Sequence, residues 1–344
     1  MKYLIYISTI LFLSCQSLPP QVHIISKFPR TLNVEGEPIT SFDKELGIMS
    51  LHVTDNYFLC GSHRTDHHFS VYSKNNISKI TDLCKKGRGP GEFIAPAYFS
   101  QYKLENGETK IWILDRGNSM FHLINIEKSI HEKKTYIETT LSLADYNRQS
   151  FRELFQLNDS TIFGTEDFKE CKHFYINLRD SGIKYINPMF KFADDPDPFP
   201  IAQTISTINP KNRYIASAYF NFPQIDLINN TGNIYKTILY NEYINPRHVT
   251  PLHANEEYYS TISSDSDYIY ALYNRGNSLV DEIKTTSSIF VFSWDGVPVC
   301  EIKIPYATYL CVDPIEHILY SIDINKEDHI VSKLSLHEYN FSNL

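Results

Sequence analysis

Apolar residues along this chain recur in short runs rather than at helical spacing. Six of these runs share a shape: Tyr57-Phe58-Leu59-Cys60-Gly61, Ile111-Trp112-Ile113-Leu114-Asp115, Thr161-Ile162-Phe163-Gly164-Thr165, Tyr214-Ile215-Ala216-Ser217-Ala218, Tyr268-Ile269-Tyr270-Ala271-Leu272 and Ile318-Leu319-Tyr320-Ser321-Ile322. Their starts lie 54, 50, 53, 54 and 50 residues apart. A period near fifty in short apolar runs marks a stack of like β units, because each unit can bury its faces only against its neighbours.

Behind each run comes a polar loop, an alternating strand, a turn and another strand. Unit one continues with Phe69–Tyr72, a turn at Lys74–Asn76 and Ile77–Leu83; unit three with Phe174–Leu178, Asp180-Ser181-Gly182 and Ile183–Ile186. Unit four has Ile225–Ile228, Asn230–Asn233 and Ile234–Leu239. Unit five reads Ile289–Trp294, Asp295-Gly296, Val297–Ile304, and Asp-Gly between alternating strands is the strongest short-range hairpin signal. In unit two the turn falls near Glu127-Lys128-Ser129. Antiparallel units of this length read as blades of a six-bladed β-propeller, an all-β fold whose radial repetition leaves no long exposed edge. Unit six offers Ile318–Ile322 and Ile330–Leu336 and then no outermost strand. The strand-like segments Val22–Ile25 or Thr31–Val34 are expected to supply it, closing the last blade from the N-terminal side.

Units one and two are joined by Lys85-Lys86-Gly87-Arg88-Gly89-Pro90-Gly91-Glu92-Phe93. Three glycines and a proline in five residues exclude both helix and central strand, so this is a tight junction. Composition agrees with a β fold: 24 Tyr and 21 Phe against 13 Gly in 344 residues. A formal charge of -8 disfavours a nucleic-acid partner.

Residues 1–14 read as an export signal, with Lys2 followed by the apolar run Tyr3–Leu13, too short to span a bilayer. Phe12-Leu13-Ser14-Cys15 resembles a bacterial lipobox, which implies a lipidated Cys15, a short tether over 15–21 and a propeller domain over 22–344. Gln16, rather than Asp, implies the outer membrane. The other cysteines, Cys60, Cys84, Cys171, Cys300 and Cys311, are odd in number and match no zinc spacing. Most are expected to be small buried residues, with Cys300 and Cys311 the pair best placed to bridge.

Gly87 to Phe93, Pro96, Trp112 to Asp115 and Asn118 resemble an NHL-type repeat, and GPGEF behind a lipoprotein leader is similar to the TolB-like six-bladed propeller lipoproteins of Gram-negative bacteria. The resemblance implies a six-bladed propeller and little specific chemistry.

Because strands in a blade alternate direction, the blade-to-blade connections and the loops between the second and third strands emerge on one face. That face gathers Arg88 and Glu92, His63 to His68 with Arg64 and His67, Arg116 and Asn118, Glu166-Asp167, Tyr219 to Pro223 with Phe222, and Arg275 and Asn277. Arg-Gly-Asn-Ser occurs at both 116–119 and 275–278. Arginines, histidines and aromatics on one loop face of an acidic protein make a candidate ligand mouth built from Arg64, His67, Arg88, Glu92, Arg116, Asn118, Phe222, Arg275 and Asn277. Simpler roles stand beside this one. Arg88 and Glu92 could pair across the turn, Asp115 could cap local amides, and the repeated tetrapeptide could reflect a shared turn. His63, Asp66, His67 and His68 have donor types for zinc or copper, and Asp194-Asp195-Pro196-Asp197-Pro198 for calcium, without spacings that fix a site.

No nucleophile elbow, zinc-protease motif or phosphate loop is present, and the glycine-rich junction precedes a strand rather than a helix. No catalytic residue, metal or cofactor is assigned. The expectation is a lipid-anchored extracytoplasmic propeller that binds or scaffolds a protein, peptide or glycan. The alternative is a metal-dependent hydrolase or lyase with its site in the central channel.

Overall fold

The computed structural model describes residues 21–39, 42, 47–146, 151–166, 173–187, 202–241, 256–277, 284–323 and 331–335. The leader, Cys15, Asp167, Cys171, the Asp194–Pro198 cluster, Ser278, Ile330 and Leu336 lie outside these residues.

Three short strands come first: β1 (Val22–Ile25), β2 (Thr31–Asn33) and β3 (Glu37–Ile39). Five four-stranded antiparallel meanders follow, and then a sixth of three strands. Blade one is β4 (Ile48–Val53), β5 (Tyr57–Ser62), β6 (His67–Ser73) and β7 (Lys79–Lys85). Blade two is β8 (Pro96–Glu105), β9 (Glu108–Asp115), β10 (Met120–Asn125) and β11 (Tyr136–Ser142). Blade three is β12 (Phe151–Asn158), β13 (Thr161–Glu166), β14 (His173–Asn177) and β15 (Gly182–Tyr185). Blade four is β16 (Thr204–Ile208), β17 (Ile215–Tyr219), β18 (Gln224–Ile228) and β19 (Ile234–Tyr240). Blade five is β20 (Glu256–Ser264), β21 (Tyr268–Asn277), β22 (Thr286–Ser293) and β23 (Pro298–Pro305). Blade six is β24 (Tyr309–Val312), β25 (Ile318–Ile322) and β26 (Val331–Ser335), and its fourth strand is β3. The protein is a six-bladed β-propeller.

The ring is closed from the N-terminal side as expected, but by a different segment. β3 pairs antiparallel with β26, Ile39 opposite Val331 and Glu37 opposite Lys333. Val22–Ile25 and Thr31–Asn33 instead lie parallel along β19 and β23, as fifth strands of blades four and five. The N-terminal segment is therefore a belt over three successive blades. Its inward residues Ile25, Phe28, Leu32 and Val34 are buried, which sets its register.

The six recurring runs are the second strands, β5, β9, β13, β17, β21 and β25. Packed on both faces, they need not alternate, and β17 and β25 are buried along their whole length. Each gap between sheets holds one apolar cluster. Leu59, Leu83 and Phe93 meet Ile111 and Ile124 between blades one and two, and Phe58 and Leu51 meet Tyr320 and Val331 at the seam. Lys74 also reaches over this seam to the buried Asp313 at 2.5 Å. Cys60, Cys84, Cys300 and Cys311 are buried free thiols, so the proposed Cys300–Cys311 bridge is absent and the small-residue reading holds for these four.

In blade two the expected turn near Glu127 is a short helix, α1 (Ile126–Glu132). Asn125 caps it, its Oδ1 accepting from the Lys128 amide at 2.9 Å, and Lys133 ends it in the left-handed region.

Candidate functional site

The innermost strands β4, β8, β12, β16, β20 and β24 line the central channel. Near their N-terminal ends the channel opens into a cavity of about 760 Å³. At their C-terminal ends it narrows to about 30 Å³, closed in by Val53, Ser100, Thr207, Ser263 and Val312. Hydroxyl contacts bind this narrow end together: Thr207 Oγ1 lies 2.8 Å from Ser264 Oγ, and the Val312 amide donates to Ser263 Oγ at 3.1 Å. Among the described residues the channel is wide at the N-terminal ends of these strands and narrow at the other, a funnel.

Its shape comes from broken registers. Between Ile48 and Ser50, and between Phe151 and Glu153, one residue on the innermost strand has no partner opposite. The same holds between Tyr259 and Thr261, while between Tyr98 and Tyr102 three residues of β8 face one of β9. The bulged residues Met49, Arg152, Ser260 and Phe99 all line the wide cavity. A bulge bends its strand and re-aims a side chain, which is how a regular blade contributes to an irregular pocket. The longest bulge holds Ser100 at φ 56°, a strained setting for a non-glycine residue.

The floor is polar but uncharged. His52 Nδ1 lies 2.7 Å from Ser100 Oγ and Nε2 3.1 Å from Ser50 Oγ. Burial pushes its pKa down to about 3, so the imidazole is neutral at physiological pH. The rings of Tyr98 and Tyr309 stand 4.7 and 6.0 Å from it. Tyr98 is only 4 % exposed, and its buried hydroxyl has no hydrogen-bond partner among the described residues.

Cations collect at the mouth: Lys86, Arg116 and Arg152 line it beside His63 and His68, and among the described residues the lining carboxylate is Glu153. Lys86 Nζ donates to the carbonyls of His63 and Thr65 at 2.8 and 2.5 Å, and Arg152 sits over the Phe220 ring at 5.2 Å. Glu153 is buried, which raises its pKa, although the Ser206 amide donates to it at 3.0 Å and Thr165 Oγ1 at 3.3 Å. Behind this wall Ser206 Oγ meets Ser217 Oγ at 2.9 Å, and Ser217 Oγ meets His173 Nε2 at 2.9 Å. Burial pushes the His173 pKa down to about 4.

Of the nine residues read as a mouth, Arg116 lines the cavity. Arg88, Glu92 and Asn118 belong to the junction beside it. There Glu92 pairs with Lys85 at 2.8 Å rather than with Arg88, and it accepts from the Gly89 amide at 2.8 Å. Gly87 and Gly91 have φ of 153° and 75°, and a Cβ on Gly87 would strike the Glu92 carboxylate. Phe93 is the anchor of this junction, 1 % exposed between blades one and two. Asp115 accepts from the amides of Ile94 and Ala95 at 3.2 and 2.9 Å and from Asn118 Nδ2 at 2.6 Å, which is the capping role. Arg64 is exposed, with its side chain over Gly47, and His67 opens β6 opposite Lys85. Phe222 is 2 % exposed against Tyr219. The second tetrapeptide does not repeat the first. Arg116–Ser119 is a turn, whereas Arg275 to Asn277 continue strand β21, with Arg275 over the Tyr258 ring at 5.7 Å and Asn277 opposite Glu256. Among the described residues no three His, Cys, Asp or Glu side chains stand together as a metal ion would require.

Sequence reasoning missed His52, Tyr98, Arg152, Glu153 and Tyr309. All lie on the innermost strands, 5 to 13 residues before the start of the recurring run that follows. A polar residue interrupting a short apolar segment at that offset, as in Phe151-Arg152-Glu153-Leu154-Phe155, is the signal that could have found them.

Six sheets around a channel that is wide at one end define a propeller, and that wide end is the candidate site. The chain matches the family described as TolB-like 6-blade propeller-like over residues 48–314, and it belongs to that family. Among solved structures it is similar to a member of the DUF4221 family from Bacteroides vulgatus, at 14% identity and TM-score 0.55, covering 92% of this chain and 94% of that one. It is also similar to a protein from Bacteroides fragilis described as a candidate exported protein, at 11% identity and TM-score 0.50, covering 88% of this chain and 98% of that one. At such identities the likeness carries the fold alone. No curated protein matches the chain.

Proposed function

We propose that this chain is an exported binding propeller, held at the outer membrane by a lipid on Cys15, that takes part of a protein, peptide or glycan partner into its funnel. One observation carries the reading: among the described residues four of six innermost strands are bulged, and each bulge contributes a residue to the lining of the 760 Å³ mouth. The leader motif and the likeness to a candidate exported protein support the location. Cationic residues at the rim of a chain with net charge -8 support an anionic group on the partner.

The test is capture. The immobilised chain is incubated with detergent-solubilised envelope from its own cells, beside the double variant Arg116→Glu, Arg152→Glu. The expected result is a component retained by the wild type and lost by the variant, with both melting at the same temperature. Equal retention by the two would place the partner site elsewhere on the ring. For the anchor, Cys15→Ala should release the chain into the soluble fraction.

A further inference from the structure

We infer that a second site lies at the narrow end of the ring, in the cleft between blades two and three, and that it takes a carboxylate carried on an apolar body. The first turns of blades four and six are built alike, Asn209-Pro210-Lys211-Asn212-Arg213 and Asp313-Pro314-Ile315-Glu316-His317. In each, the leading Oδ1 accepts from the amides two and three residues on, at 2.8 and 3.1 Å in one turn and 3.0 and 3.1 Å in the other. The fifth residue donates its amide to the first carbonyl and sits in the left-handed region, Arg213 at φ 62° and His317 at φ 54°. That setting is costly for a side chain other than glycine or asparagine, and residues held in it cluster at functional positions. His317 uses it to latch onto the preceding blade: its Nδ1 lies 2.9 Å from Oδ2 of the buried Asp265, whose Oδ1 caps its own turn by accepting from the Asp267 amide at 2.8 Å.

Arg213 stands in the same place against blade three, and there the acceptor is missing. Asn158 caps the blade-three turn in the way Asp265 caps its own, accepting from the Ser160 amide at 3.0 Å. The second side-chain atom of an aspartate accepts, whereas that of an asparagine is an amide nitrogen and only donates. Arg213 is half-buried, burial lowers its pKa, and among the described residues no carboxylate pairs with it; Asp159, beside Asn158, is exposed. The space around it is a cleft of about 410 Å³ that shares Gln101, Tyr102 and Arg213 with the narrow end of the channel. Its apolar lining is Trp112, Leu123, Leu141, Leu157 and Leu178. Trp112 is stacked on Phe121 at 4.8 Å and partly exposed, and among the described residues its Nε1 donates to no acceptor, whereas Nε1 of the buried Trp294 donates to the Asp265 carbonyl at 3.0 Å. A guanidinium and an indole N–H without partners, set over apolar walls, match a carboxylate that the arginine fork can hold in bidentate fashion while an apolar body covers Trp112. The volume suits one small group rather than a folded domain.

The experiment is titration of the full chain in detergent, by calorimetry and by tryptophan fluorescence, with phenylpropionate, indolepropionate, isocaproate and an acetylated leucyl-phenylalanine. The last presents the same chemistry as a peptide end, so the panel separates a free acid from a chain terminus. Phenylpropionamide is the neutral probe and inorganic phosphate the anion without an apolar body. At least one of the carboxylates should bind about tenfold more tightly than either control, and Arg213→Gln should erase that preference. Asn158→Asp restores the carboxylate that blade five has, so it should weaken binding about tenfold without lowering the melting temperature. Equal binding of a control, an unchanged affinity in Asn158→Asp, or no binding of any carboxylate would overturn the assignment. Neither variant touches the wide mouth, so binding here and capture through Arg116 and Arg152 can fail separately.

Discussion

The second and innermost strands of each blade are neighbours in one sheet, and they are built to different rules. The second strands are paired on both sides and packed on both faces; β17 is buried at every position. The innermost strands have one free edge and carry bulges in four blades. The first kind fixes the ring and the second shapes what the ring holds. Regular pairing and packing of the second strands set the stability, so the inner layer is free to depart from them, and the strain at Ser100 is carried on a strand backed by the paired β9 and β10.

The most severe way to break this division is to remove what closes the ring. Truncation through Ile39 should turn a single sharp thermal transition into a broad one, since blade six loses its outer strand. Truncation through Val34 spares β3 and should cost less, though Ile25, Phe28, Leu32 and Val34 are each worth roughly 1.5–3 kcal/mol of burial. Equal melts for the two truncations would mean that β3 does not close the ring.

The contrast between layers is sharpened by a matched pair of truncated side chains. Ile113→Ala, on β9 at 0 % exposure, should destabilise by about 2–5 kcal/mol in denaturant titration. Met49→Ala, at the β4 bulge and 53 % exposed, should change stability by no more than about 0.5 kcal/mol. Similar costs at the two positions would deny that the inner layer is free to vary.

A gentler probe is acid. The folded pKa values of His52 and His173, about 3 and 4, lie below the ordinary 6.5, so the unfolded chain takes up these protons first. Stability should fall as pH drops from about 6.5 towards 4, each imidazole contributing up to about 1.4 kcal/mol per pH unit. His173→Gln should flatten that slope by one proton's worth between pH 6 and 5. An unaltered slope would place the acid sensitivity elsewhere.

The same contrast explains what could be read from sequence. Tyr57 to Gly61 and its five counterparts are continuous apolar runs because both their faces are covered, and such runs announce themselves at a fixed spacing. The hairpin at Asp295-Gly296 follows from local turn chemistry, with Gly296 at φ 70°. A bulge has no such signature. Arg152 and Glu153 are adjacent in sequence, and nothing in either residue tells that one is the extra residue of a bulge while the other is buried and accepts from the Ser206 amide. The closing strand was hidden for another reason. Glu37-Pro38-Ile39 has a charge, a proline and one apolar residue, a composition suited to an edge, whereas the more strand-like Val22–Ile25 serves a blade that already had four strands. The second Arg-Gly-Asn-Ser shows the opposite case, where a shared motif implied a shared turn but Arg275 to Asn277 continue β21.

The belt has a mechanical side. β1 runs alongside β19 in register from Val22 to Ile25, and the Thr237 amide donates to the Gln21 carbonyl at 3.0 Å. A tug on the preceding chain, directed along β1, would load these hydrogen bonds in parallel instead of peeling them one by one, and behind them stand β2 and β3 on two further blades. Tension arriving from the N-terminal side is thus spread around half the ring before it reaches the strand that seals it.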